Sequence, residues 1–64
     1  MDESFKERLD AEFVQLCERI DKLNAFLRSP ADIGSEQLAL LTIQLCCMQA
    51  YRSVLERRRE LLGS

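Results

Sequence analysis

The sequence predicts an all-α fold, an antiparallel two-helix hairpin that oligomerises into a helical bundle, and three observations predict it. Two long apolar repeats have the period of a helix, and one segment bearing a proline and a glycine separates them. The stretch from Gln37 to Tyr51 carries no charge, although 31% of the 64 residues are charged, and it holds more apolar surface than one hairpin can cover. The length allows a single domain over residues 1–64.

The first helix is expected over about residues 5–28. Ser4 followed by Glu7 has the spacing of a capping box, in which the hydroxyl accepts from one orphan amide and the carboxylate reaches back to another. Leu9, Phe13, Leu16, Ile20, Leu23 and Leu27 then recur at steps of 4, 3, 4, 3 and 4, the seam of a helix packed nearly parallel or antiparallel to a neighbour. Residues 29–35 form the connection: Pro30 biases Ser29 away from helical geometry, Gly34 frees the backbone, and Ser35 offers a second cap. The second helix is expected over about residues 36–62, close enough in length to the first to lie against it.

The second helix carries two apolar strips. Leu38, Leu41, Leu45, Met48, Leu55 and Leu62 make one seam; Leu40, Cys47, Val54 and Leu61 make another, displaced around the cylinder. One neighbouring helix covers only one of them, and Phe5, Val14, Cys17 and Phe26 flank the seam of the first helix. Leu40, Cys47, Met48, Val54 and Leu61, with Phe13 and Phe26, are therefore the residues expected where chains meet. Two hairpins in a four-helix bundle form the smallest assembly that satisfies these faces, and larger symmetric oligomers satisfy them too.

Composition narrows the function classes. Below about 70–80 residues a core needs a staple, and an odd number of cysteines, Cys17 and the adjacent pair Cys46 and Cys47, with no leader before them, points to a reduced intracellular chain. Without histidine no metal motif is expected, and no cofactor. The uncharged run is shorter than the roughly 20 residues of a membrane span and contains Gln37, Thr42, Gln44 and Gln49, so none is expected. A net charge of -2 gives no electrostatic case for gripping nucleic acid. Asp2, Glu3 and Glu7 at one helix start and Arg57, Arg58 and Arg59 near the other helix's end suit the macrodipoles and are brought together by an antiparallel hairpin.

Gln44, Tyr51 and Arg58, seven residues apart, project from one strip between the two seams, polar where apolar residues are easier to place. As a ligand site at a subunit interface, Tyr51 offers a face for a planar group, Arg58 a fork for phosphate or carboxylate, and Gln44 amide readout, with Arg52 and Arg59 adding charge. The structural alternative is that Tyr51 and Gln44 fix register at an interface while Arg58 lays its stem over a seam and reaches an acidic residue of the first helix. Cys46 and Cys47 point about 100° apart and read as buried or boundary thiols rather than a redox pair. No nucleophile with a base and no glycine-rich phosphate loop is present, so no enzymatic activity is expected.

The residues Leu40-Leu41-x-x-Gln44-Leu45-x-x-Met48-x-x-Tyr51-x-x-Val54-Leu55-x-x-Arg58, preceded by Phe5-Lys6-Glu7-Arg8-Leu9 and Arg19-Ile20-x-Lys22-Leu23-x-x-Phe26-Leu27, carry a resemblance over nearly the whole chain. In them the sequence resembles the crAss-phage-related family of short phage and prophage proteins, which implies a virus-encoded helical hairpin. A looser, architectural similarity is to Rop-type hairpins, which dimerise into four-helix bundles and bind paired RNA loops. The expectation that follows is a small oligomeric counter-defence protein of the host cytoplasm. It sequesters a cyclic or modified nucleotide messenger at subunit interfaces; the alternatives are a module that occupies a host protein, or a Rop-like RNA-binding bundle.

Overall fold

The computed structural model describes residues 3–63, and it consists of two helices, α1 over Glu3–Arg28 and α2 over Ser35–Gly63, folded back on each other as a hairpin. Among the described residues there is no strand. The molecule is a rod of 46 × 14 × 14 Å, the length of α2's 29 residues at about 1.5 Å each.

Both expected seams face inward. On α1, Leu9, Leu16 and Ile20 are buried and Phe13, Leu23 and Leu27 half-buried; on α2, Leu55 is buried and Leu38, Leu41, Leu45, Met48 and Leu62 are half-buried. Leu55 and Ile20, at 0% and 1% exposure, are the two most enclosed side chains. Phe13, Leu45, Met48 and Leu62 pack against them. The core contains no buried polar residue among those described, so it holds through apolar contact alone.

The helix ends differ from the sequence expectation by a residue or two. α1 begins at Glu3, which puts Ser4 inside the helix, where its carbonyl accepts from Arg8 Nε at 3.3 Å, so the capping box expected at Ser4 does not start this helix. The acidic residue Asp2 lies outside the described residues. At the other end the Ser29 amide donates to the Phe26 carbonyl at 3.2 Å, tightening the final turn before Pro30. Gly34 has φ of +92°, the freedom that its position in the connection predicts. Its carbonyl accepts from the Leu38 amide at 3.1 Å, which makes Gly34 the capping residue of α2 and moves Ser35 one place into the helix.

Thr42 and Ser53 lie on the side of α2 away from its exposed apolar strip. Thr42 Oγ1 and Ser53 Oγ donate to the carbonyls four residues earlier, of Leu38 and Gln49, at 2.9 and 3.3 Å. By length and composition alone α2 is long and apolar enough to cross a bilayer. The core helix of a protein that spans no membrane meets the same length and composition, so no membrane span follows from them. The second apolar strip of α2 is uncovered: Leu40, Ile43, Val54 and Leu61 are 54, 59, 53 and 62% exposed.

Candidate functional site

Two clefts flank the helix pair, and their linings differ in charge. The smaller, of about 280 Å³, is built from α1 by Phe5, Arg8, Leu9 and Glu12 and from α2 by Arg58. Steps of three and four residues place Phe5, Arg8 and Glu12 on one strip of α1 beside its seam, so the helix itself presents a ring, a guanidinium and a carboxylate side by side. Arg58 reaches them from the antiparallel helix, its Cζ 5.8 Å from the centre of the Phe5 ring. The Tyr51 hydroxyl donates to Glu12 Oε1 and ties the cleft's carboxylate across the hairpin. Two arginines against one glutamate leave this cleft net positive.

The larger cleft, of about 410 Å³, lies on the other flank, lined by Lys6, Asp10, Glu56, Arg59, Glu60 and Gly63. Three carboxylates against two cations make it net negative, and its arginine is engaged. Arg59 Nε donates to Asp10 Oδ1 at 2.8 Å while its Cζ stands 4.3 Å above the Phe13 ring. Arg57 pairs with Glu60 one turn on at 3.1 Å, well exposed. The reach to an acidic residue of the first helix, anticipated for Arg58, is thus made by Arg59. Because α2 runs on to Gly63, the three arginines precede its last turn, and their link to α1 is this direct pair rather than the helix dipole.

Of the expected ligand residues, Arg58 lines the smaller cleft and Tyr51 reaches its Glu12 from outside the lining. Gln44 is exposed two turns nearer the connection, roughly 10 Å from Tyr51 along the axis. Arg52 is half-buried toward the core side, and Arg59 belongs to the opposite flank. Phe5, Arg8 and Glu12 enter the site without having been singled out for it; their shared strip on α1 is the signal that marks them. Of the expected interface residues, Leu40, Cys47, Val54 and Leu61 are exposed and Phe26 half-buried, whereas Phe13 and Met48 pack against the hairpin's own core. Ile43, not singled out in the sequence, joins the exposed group. All three cysteines are free thiols, and Cys46 and Cys47 are exposed rather than buried or boundary residues.

Fold and site together define a small helical hairpin with an arginine-lined cleft and one uncovered apolar face. A family model described as Sequestin matches residues 3–61, and the chain belongs to the Sequestin family. The name is compatible with a sequestering binding protein. No curated protein and no solved structure matches the chain. The crAss-phage-related likeness rests on the residues alone, and the Rop-type likeness on architecture alone.

Proposed function

We propose that the protein is a phage-encoded counter-defence protein that binds a nucleotide-type immune signalling molecule without turning it over. It acts in the host cytoplasm and holds the messenger at subunit interfaces. The observation that carries this reading is the pair of guanidinium groups, Arg8 and Arg58, placed with the Phe5 ring on one open cleft. Guanidinium forks match phosphate oxygens two bonds at a time, an aromatic face takes a base, and Glu12 accepts from an exocyclic amine. Membership of the Sequestin family supports binding as the end of the process rather than its first step. The lining supports it as well: Phe5, Arg8, Leu9, Glu12 and Arg58 include no nucleophile with a base to activate it.

Calorimetric titration with a panel of cyclic dinucleotides and ADP-ribose derivatives tests the proposal. Wild type gives saturable heat with at least one of them, the ligand is recovered chemically intact, and Arg58→Ala weakens binding by about 2 kcal/mol, roughly thirtyfold in Kd. No heat across the panel, or recovery of a cleaved ligand, overturns it.

A further inference from the structure

Every large apolar side chain that α2 leaves exposed, Leu40, Ile43, Tyr51, Val54 and Leu61, lies on one strip. Cys47, also exposed, lies among them. With Glu36 and Arg58 the strip reads 36, 40, 43, 47, 51, 54, 58, 61, steps of 4, 3, 4, 4, 3, 4 and 3, all within an arc of about 80°. The steps are the same in both directions from Cys47: Ile43 and Tyr51 are four residues away, Leu40 and Val54 seven, Glu36 and Arg58 eleven. Continuing outward, Leu61 is fourteen residues away on one side and Ile33, the exposed apolar residue of the connection, fourteen on the other.

A stripe with this spacing is complementary to itself turned end for end. We infer that the α2 strip is the dimer surface of this protein, occupied by α2 of a second copy running antiparallel with Cys47 on the two-fold axis. In that register Ile43 faces Tyr51 of the second copy, Leu40 faces its Val54, and Ile33 lies toward its Leu61. Glu36 meets its Arg58, opposite charges at each end of the seam, and each contact occurs twice as an isologous interface requires. Other arrangements lose these matches. A parallel pair sets Glu36 against Glu36 and Arg58 against Arg58. An antiparallel pair slipped one heptad sets Ile43 against Arg58, or leaves Leu61 beyond the seam.

At the usual 8–10 Å between packed helices, with Cα atoms about 2.3 Å from each axis, residues facing each other on the dyad have Cα atoms roughly 3.4–5.4 Å apart. The upper part of that spacing, from about 4.4 Å, is one that a disulfide bridges. Cys46, about 100° around the helix, points away from it. Arg58 belongs both to the strip and to the positive cleft, so the dimer sets each cleft at the boundary between chains. The inference stands on the strip and does not depend on the ligand.

The test uses the full chain without nucleotide. Sedimentation at tens of micromolar gives a species of twice 7.4 kDa. Diamide then takes two electrons and two protons from a pair of Cys47 thiols, forming one S–S bond and the reduced hydrazine. A covalent dimer appears on a non-reducing gel with wild type, Cys17→Ser and Cys46→Ser, and disappears with Cys47→Ser. Arg58→Glu, an exposed change whose helicity is checked by circular dichroism, shifts the species to monomer, and Glu36→Arg in the same chain restores the dimer. A folded monomer, a dimer whose cross-link survives Cys47→Ser, or a monomer that floats with anionic lipid vesicles overturns the inference. None of these readouts involves the nucleotide, so a failure here is distinct from a failure of the titration.

Discussion

Arg58 and Arg59 are adjacent in the chain and end in opposite surroundings, because one residue is about 100° of helix. Arg58 faces Phe5 and the positive cleft, whereas Arg59 bonds Asp10 and covers the Phe13 ring. Arg59 is therefore a structural side chain, holding the two helices together through its charge and its flat face. Arg59→Ala is expected to lower stability by about 1–1.5 kcal/mol, the sum of a partly exposed ion pair and a cation–π contact, measured by urea unfolding. Arg59→Lys keeps the charge but not the planar stacking and falls between the two. A loss from Arg58→Ala larger than that from Arg59→Ala would reverse the assignment. The sequence displays the arginines but not which of them faces α1, since that depends on how far each helix is rotated about its axis when the hairpin closes.

At the scale of the elements, helical period made most of the architecture legible. The twelve seam residues, which recur at steps of three, four and seven, are all buried or half-buried. Their boundaries were less legible, because Ser4 and Ser35 have capping side chains wherever they fall, while the start of a helix is decided by which carbonyl first accepts. At α2 that carbonyl belongs to Gly34, whose φ of +92° leaves little room for choice of residue. A methyl group placed there meets no atom within 4 Å, so the penalty of Gly34→Ala is one of backbone alone. It is expected at about 1–2 kcal/mol in chemical unfolding; a neutral result would show that the turn relaxes to another geometry. The cleft was half legible for a related reason. The strip of Tyr51 and Arg58 shows in the spacing of α2, but its complement on α1, Phe5, Arg8 and Glu12, is selected only when the two helices meet.

For the whole molecule the governing fact is how little it encloses. Among the described residues four side chains, Leu9, Leu16, Ile20 and Leu55, are buried, and a core of that extent rarely supplies more than about 3–5 kcal/mol. Leu55→Ala, at the one fully enclosed site of α2, is expected to remove about 3 kcal/mol and with it most of the hairpin's stability in isolation. Helicity by circular dichroism should then be recovered at high protein concentration, since association on the α2 strip draws the equilibrium toward the folded chain. A midpoint that stays fixed across a hundredfold change in concentration would separate folding from association.

The tightest packing spans Leu9 to Ile20 against Leu55, away from the bend, and the residues of the bend are exposed. Extra chain is thus tolerated best between Ala31 and Asp32, where doubling the connection adds only about 0.6 kcal/mol of closure entropy. An insert there sits at the far end of its own rod from its arginine cleft, and in the antiparallel pair it lies close to Arg58 of the second copy, so a fluorophore at the bend reports association.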